Sequence, residues 1–446
     1  MNRRVESEPA ATAPREWRTF RVEVLGCKVN QYEAQQIERL LGLYGLRPAA
    51  PGETPDLAVI HTCAVTSAAL RKSGQLLRRR LAEERAPCVI ATGCGGEAGL
   101  LDRNLPLAAV VPPGPEWIGE LAGVLDTLPL PARAGEAARS ADGLTLERFG
   151  GHTRAFLKIQ DGCDLHCSYC IVPSLRRAPR DKPLGVLREE ARALAANGYR
   201  ELVVTGVSVG LWGRGAGGLA SVLEALAPLE GLERIRLSSL HPSELTNRLL
   251  QVWAASPKIL PHIHLPLQAG SDAVLERMLR GYTGAGFLAA VARARAALDR
   301  PAFTTDVIVG FPGETDGDFE RTLAVCRAAE FSRIHIFPYS VRPGTPAAEL
   351  PGRVAPAAVQ ARVRALKETA AELAADFHGR FVGERAQVLC ETWHPADGTW
   401  EGYTERYIPV RFAGGPDWGG RIVPVRLDSV APLGMHGTAV EEGGGG

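Results

Sequence analysis

Three cysteines crowd the stretch "QDGCDLHCSYCIVP": Cys163, Cys167 and Cys170. Thiolates are the usual ligands of iron–sulfur clusters. Three of them on one tight loop hold three irons of a four-iron cluster and leave the fourth open. An open position is what a catalytic metal keeps and a structural one closes. A zinc site, or thiols buried for packing, would meet the same count. A second trio, Cys27, Cys63 and Cys94, is dispersed, each at the C-terminal end of a predicted strand. Parallel α/β sheets bind ligands along that edge, and the helix predicted after Cys27 favours a thiolate at its N-terminus. Cysteine is also among the most buried residue types, so spacing alone leaves convergence and simple burial both open. Cys88, Cys326 and Cys390 fit neither trio and read as small buried apolar residues.

The elements that must position these thiols alternate. "RVEVLGCKV" predicts a strand and Asn30–Gly45 a helix, with Ile37, Leu40, Leu41 and Tyr44 on one face and Asn30 and Glu33 at capping-box spacing. "DLAVIHTCAVT" predicts a second strand, followed by a basic helix from Ser67 to about Glu84, and "CVIATGC" a third strand. Strand–helix alternation implies a parallel α/β sheet. A Pro-, Ala- and Gly-rich linker is expected over 128–150. Six more strands follow, at 155–162, 201–210, 234–239, 262–267, 303–311 and 333–340, separated by helical segments. They predict a partial or complete parallel barrel whose C-terminal face carries the first cysteine loop. A further helix brings Val359, Val363, Leu366, Ala370, Leu373 and Phe377 to one face. The remainder reads as short strands joined by Gly and Pro turns, a small all-β barrel, and then a disordered tail. The fold class is therefore α/β, with domains expected at 19–127, 151–376 and 377–434 and the tail at 435–446.

Composition narrows the classes. The 446 residues carry 51 basic and 50 acidic side chains, so no global field argues for or against nucleic acid. "ESEPAATAPRE" stands where an export leader would need an apolar run, and no apolar stretch approaches the roughly 18 residues that span a bilayer. Nine cysteines without an export signal point to a reducing cytoplasm and to metal or catalytic thiols.

Cys163-x-x-x-Cys167-x-x-Cys170, with Tyr169 before the last cysteine, resembles the signature of the radical S-adenosylmethionine superfamily. The resemblance implies that the open iron binds S-adenosylmethionine, which one electron cleaves to a 5′-deoxyadenosyl radical. "LGCKVNQYEAQQIERLL", "HTCAVTSAALRKS" and "TGCGGE" are similar, in order, to the three cysteine segments of the methylthiotransferase family. The likeness continues through "TGVSVGLWG", "RIRLSSLHP", "PHIHLPLQAGSDAVLERMLRGYT" and "TDVIVGFPGETDGDF" to "GYTERYIPV", similar to the RNA-binding TRAM module. It implies two 4Fe-4S clusters, one on Cys163, Cys167 and Cys170 and an auxiliary one on Cys27, Cys63 and Cys94 that handles sulfur. A reductant of flavodoxin or ferredoxin type and a sulfur donor would be partners. Thr205, Gly206, Ser238 and Gln268, at or near predicted barrel-strand ends, are candidate S-adenosylmethionine contacts.

The segment "LGCKVNQYE" resembles the branch acting on N6-threonylcarbamoyladenosine at position 37 of tRNA, in the anticodon stem-loop. The isopentenyladenosine branch tends to Gly-Cys-Gln-Met-Asn, and the branch acting on a ribosomal-protein aspartate to Gly-Cys-Pro-Lys-Asn. Arg177 replaces a glycine frequent in the family, and Ser208 an asparagine. Arg176, Arg177, Arg180 and Lys182 are placed to hold RNA phosphates beside the cluster loop. Lys72, Arg78, Arg79 and Arg80 form a second candidate for phosphate contact, for which a solvated helix face is the favoured alternative. The TRAM-like segment from 377 to 430 has six basic and seven acidic side chains, so RNA binding there rests on the resemblance, through Arg406, Tyr407 and Arg411. His262 and His264 alternate on one strand face and read as barrel lining rather than a metal pair. A two-cluster electron-transfer or RNA-binding protein without catalysis is the alternative from another class.

Overall fold

The computed structural model describes residues 17–83, 87–96, 101–102, 104–176, 179–214 and 217–440. Packing divides them into two units. One takes the chain up to Gly26, then Glu33–Ala64 and Ala68–Leu144; the other takes Cys27–Tyr32, Val65–Ser67 and everything from Thr145.

The first unit is built on β1 (Thr19–Val24), α1 (Lys28–Leu43, whose first turn belongs to the second unit), β2 (Arg47–Pro48), β3 (Leu57–Thr62), α2 (Ser67–Leu81), β4 (Cys88–Gly93), β5 (Ala109–Val111) and α3 (Trp117–Asp126). The strands form one parallel sheet in the order β2-β1-β3-β4-β5. The apolar run of β3 is buried throughout because the sheet is covered on both faces. Phe20, Leu57, Val59 and Ile90 join the core that Ile37, Leu40, Leu41 and Tyr44 complete, while Ala58, Ile60, Val89 and Ala91 pack with Leu77. Asn30 does not cap α1, which begins two residues earlier; Glu33 instead meets His61 Nε2 at 2.9 Å. Within 128–150, Leu130, Ala134 and Leu144 are buried in this unit's core, and Gln36 Nε2 donates to the Leu144 carbonyl at 2.8 Å.

The second unit continues with β6 (Ala155–Asp161), α4 (Val172–Leu175), β7 (Arg180–Asp181), α5 (Leu184–Ala196), β8 (Glu201–Gly206), α6 (Gly218–Leu226), β9 (Arg234–Leu237), α7 (Asn247–Ala255), β10 (His262–His264), α8 (Asp272–Arg277), α9 (Gly284–Ala297), β11 (Ala302–Val309), α10 (Asp316–Ala329), β12 (Arg333–Pro338) and α11 (Pro356–Gly379). β6, β8 and β9 pair in parallel, as do β10, β11 and β12, and a parallel bridge between Ser239 and His264 joins the two sheets. This is the six-stranded partial barrel expected, with shorter strands: β8 stops at Gly206 and β10 at His264. Beyond them Gln268 adopts φ 64°, a left-handed conformation that costs a side-chain-bearing residue about 1 kcal/mol or more. It is held there by its amide donating to the Asp306 carbonyl and its carbonyl accepting from Ile308, at 2.8 and 2.9 Å.

The chain closes with β13 (Arg385–His394), β14 (Thr399–Tyr403), β15 (Pro409–Ala413), β16 (Ile422–Ala431) and β17 (Gly434–Ala439), a closed barrel in the order β13-β14-β15-β17-β16. Residues 435–439, read from sequence as the start of a disordered tail, are the strand that closes it; Met435 is buried there and pairs with Val410 and Val430. The rest of that tail, 441–446, lies outside the described residues. No helix among the described residues is long and apolar enough to cross a membrane.

Candidate functional site

The loop after β6 gathers Cys163, Cys167 and Cys170, all half-buried and free of disulfides. Gln160, the last inward side chain before it, fastens its root. Its Nε2 donates to the carbonyls of Asp161 and Gly162 at 2.7 Å, and its Oε1 accepts from the Ser208 amide at 2.9 Å. Gly206 makes this possible, since a Cβ there would stand 2.9 Å from the Gln160 carbonyl oxygen. Arg280, buried, donates from Nη1 to Cys167 Sγ at 3.3 Å. Burial pushes the Cys170 thiol up to about 12, and proximity to Cys167 and Cys163 adds to the rise. Burial raises the Cys163 thiol as well. A cationic iron centre reverses that balance, so the donor set fits a cluster.

Of the second trio, Cys63 and Cys94 are buried and follow the neighbouring strands β3 and β4. Gly93 precedes Cys94 at φ 81°, where a Cβ would come within 2.6 Å of the Thr62 carbonyl oxygen; only glycine passes the end of β3 this closely. Cys27 is exposed, three residues beyond β1, and belongs to the second unit. Cys326 and Cys390 are buried as expected, Cys88 only partly.

Inside the barrel lies a cavity of about 480 Å³. Arg236, His262, His264, Thr304, Asp306 and His335 line its strand walls, Lys28 and Arg154 project into it, and Tyr403 and Tyr407 come from the C-terminal barrel. Ser238 and Ser239, at the C-terminal end of β9, line it too, so it reaches the barrel end that carries the cysteine loop. His262 Nε2 and His264 Nδ1 lie 3.0 and 2.9 Å from the Thr304 hydroxyl. His264 Nε2 also meets Asp306 Oδ2 at 3.3 Å. Burial pushes the His262 imidazole well below its ordinary value, and Arg236 adds to that shift, so it is neutral near pH 7.

Below the cavity the two barrels share a charged joint. Glu201 takes Arg236 at 2.7 Å, Arg234 at 3.5 Å and Arg154 at 3.8 Å, while Arg154 also pairs with Glu391 at 2.6 Å. Arg234 reaches the carbonyls of Gln387 and Tyr403, and Arg236 those of Thr404 and Glu405. Tyr407, at φ 61°, stacks on Tyr403 with ring centres 4.5 Å apart and lies 4.8 Å from His262.

Several basic residues assigned to RNA are placed otherwise. Arg176 is buried and its Nη1 reaches both oxygens of Asp161, at 2.8 and 2.9 Å. Lys182 is buried against Glu190 and the Tyr32 hydroxyl, both at 2.7 Å. Arg406 ties the C-terminal barrel to Asp299, at 2.8 Å, and to the Arg300 carbonyl, at 2.9 Å. Tyr407 faces the cavity, and Arg411 pairs with Asp397. Arg176 and Lys182 are thus buried in ion pairs rather than presented at the surface. Arg180 is half-exposed on β7, and Arg177 lies outside the described residues. Thr205 and Ser238 are buried at strand ends, and Gly206 and Gln268 are partly exposed there. Sequence reasoning missed Gln160, Arg280, Lys28, Asp306 and His335. For Lys28 the signal was available, since it adjoins Cys27 inside the motif already singled out.

Comparison with known proteins agrees with this picture. Residues 157–326 match the family described as the Radical SAM superfamily, and residues 19–102 the one described as Uncharacterized protein family UPF0004. The chain is 34% identical over 426 residues to the threonylcarbamoyladenosine tRNA methylthiotransferase MtaB of Thermotoga maritima, covering 94% of this chain and 96% of that one. It is 35% identical over 448 residues to the tRNA-2-methylthio-N(6)-dimethylallyladenosine synthase of Novosphingobium aromaticivorans, covering 97% and 99%. Among solved structures it is similar to the radical S-adenosylmethionine methyltransferase TsrM of Kitasatospora setae, with a TM-score of 0.52 at 18% identity over 74% of this chain and 77% of that one. At that identity the likeness speaks for the fold alone.

Proposed function

This chain belongs to the radical S-adenosylmethionine methylthiotransferases, and from that premise we propose that it converts N6-threonylcarbamoyladenosine at position 37 of tRNA to its 2-methylthio derivative. Relatives named for threonylcarbamoyladenosine and for dimethylallyladenosine match almost equally well. The observation that favours the first is the lining of the barrel cavity, where Lys28, Arg154, Arg236, Asp306 and three histidines outnumber apolar side chains. Threonylcarbamoyl brings a carboxylate, a hydroxyl and a urea; dimethylallyl would leave those walls unmatched, and unmatched buried polar groups are costly.

Cys163, Cys167 and Cys170 would hold one cluster, and Cys27, Cys63 and Cys94 the auxiliary one. With S-adenosylmethionine the first supplies a radical that breaks a C–H bond beyond the reach of side-chain acids and bases. The protein's share is positioning. Gln160 and Gly206 fix the cysteine loop, Arg280 places positive charge on Cys167, and Thr205, Ser238 and the strained Gln268 stand at the strand ends where the cosubstrate would bind. A flavodoxin- or ferredoxin-type reductant and a sulfur donor complete the scheme, in the cytoplasm.

Mass spectrometry of tRNA nucleosides from a strain lacking this gene, and no other such enzyme, tests the reading. The 2-methylthio form of threonylcarbamoyladenosine should vanish while its parent accumulates. Loss of the dimethylallyl derivative, or of a thiolated ribosomal-protein aspartate, would overturn the choice of substrate.

A further inference from the structure

We infer that Lys28 receives the carboxylate of the substrate's threonyl group, so that the residue beside the first auxiliary cysteine reads the N6 substituent. This rests on the substrate proposed above. Lys28 is the first residue of α1 and lines the barrel cavity. The other cations there differ in their commitments. Arg154 is held by Glu391 and Glu201, and Arg236 by Glu201. Lys28 makes no hydrogen bond or ion pair among the described residues, and it is an exposed residue that lines the cavity. Arg333 is also unpaired among the described residues, but it sits at the start of β12, level with Thr304 and one pleat short of Asp306 and His335.

His264, Asp306 and His335 have ligand atoms within 4.8 Å of one another, the residue types of a cation site. Their surroundings oppose that use, because Arg154 and Arg236 are matched by Glu201 and Glu391 while Lys28 and Arg333 share the cavity with one carboxylate, Asp306. A site so charged selects an anion. Asp306 and His264, already 3.3 Å apart, then offer an acceptor and a donor to the hydroxyl and urea of the same substituent. Carboxylate on an ammonium is a charge-assisted contact, stronger than a neutral one.

The test uses reconstituted holoenzyme and synthetic anticodon stem-loop RNAs carrying threonylcarbamoyladenosine, its methyl ester, dimethylallyladenosine or adenosine, with affinity read by fluorescence anisotropy. Wild type should bind the acid at least about tenfold tighter than the ester, a comparison that needs no variant. Lys28→Gln should shrink that gap to about twofold at unchanged iron content, and Lys28→Arg should restore it. If wild type binds the threonylcarbamoyl RNA no better than the dimethylallyl one, the substrate reading falls. If it prefers the former yet treats acid and ester alike, or Lys28→Gln keeps the gap, the role of Lys28 falls and the substrate reading stands.

Discussion

Glu201→Gln should destabilise the second unit by about 3–5 kcal/mol, the usual consequence of removing one partner from a buried ion pair. Glu201 is 1% exposed and faces three guanidinium groups. Glutamine keeps the shape but withdraws the charge. Arg154 would still have Glu391, and Arg234 still has carbonyl acceptors on the C-terminal barrel. Arg236 would keep the carbonyls of Thr404 and Glu405 and the face of Tyr407, with no carboxylate in its place. At its 2.7 Å contact with Glu201, the gross attraction at an effective dielectric of about 20 is about 6 kcal/mol, and the glutamine dipole retains part of it. Burial alone would raise the Glu201 carboxyl; the Arg236 and Arg154 guanidinium groups hold it below its ordinary value, so the charge is present near neutral pH. For a body of roughly 300 residues the loss corresponds to a fall in Tm of roughly 5–8 °C. Tryptophan fluorescence reads it, since Trp393, Trp400 and Trp418 all belong to the C-terminal barrel. Adding Arg236→Met should recover most of the loss. A shift under about 2 °C, or a double variant as unstable as the two singles summed, would refute charge compensation as what secures the joint.

Two further expectations are simpler to check. Anaerobic reconstitution should load about eight irons per chain, and changing Cys163, Cys167 and Cys170 together to Ala should leave about four and abolish cleavage of S-adenosylmethionine. Changing Cys27, Cys63 and Cys94 instead should also leave about four but spare reductive formation of 5′-deoxyadenosine; a wild-type content near four would count against the auxiliary cluster. His378 is buried, which pushes its imidazole down to about 4, against the opposing hydrogen bond to the Gly434 carbonyl. The unfolded chain therefore binds the extra proton between about pH 6.5 and 4, so stability is full above that window and falls by up to roughly 3 kcal/mol as pH drops through it. His378→Gln should flatten that slope in acid-unfolding curves, leaving the share of His241, also lowered to about 4; an unchanged slope would remove His378 from the account.

Periodic and local features were legible in the sequence. The face of Ile37, Leu40, Leu41 and Tyr44 is buried as its spacing required, and the six barrel strands lie in the order that strand–helix alternation implies. What failed were inferences from charge and from capping. Arg176 and Lys182 count as basic residues in any composition, yet they are committed to Asp161 and to Glu190 with Tyr32, the last 150 residues away in sequence. Asn30 and Glu33 had the spacing of a cap, but tertiary contact claimed Glu33 for His61. β17 was missed because Gly434 and Gly437 interrupt any alternation that "GMHGTA" could show. The cavity could not be read locally, since its walls draw a few residues each from several elements far apart in sequence.

α11 has a consequence for how force and position pass through the second unit. It is 24 residues long, about 36 Å of helix, and one continuous rod serves two cores. Val363 and Leu366 are sunk in the larger barrel, while Phe377 packs with Phe381 and Ala302 in the core of the smaller one. A flexible tether between the two would only raise local concentration and would admit a spread of distances. A strut embedded at both ends admits one. The two barrels are thus held at a set separation, joined where the larger one's strands begin. Each residue inserted into the rod would lengthen that separation by about 1.5 Å and turn one end against the other by about 100°.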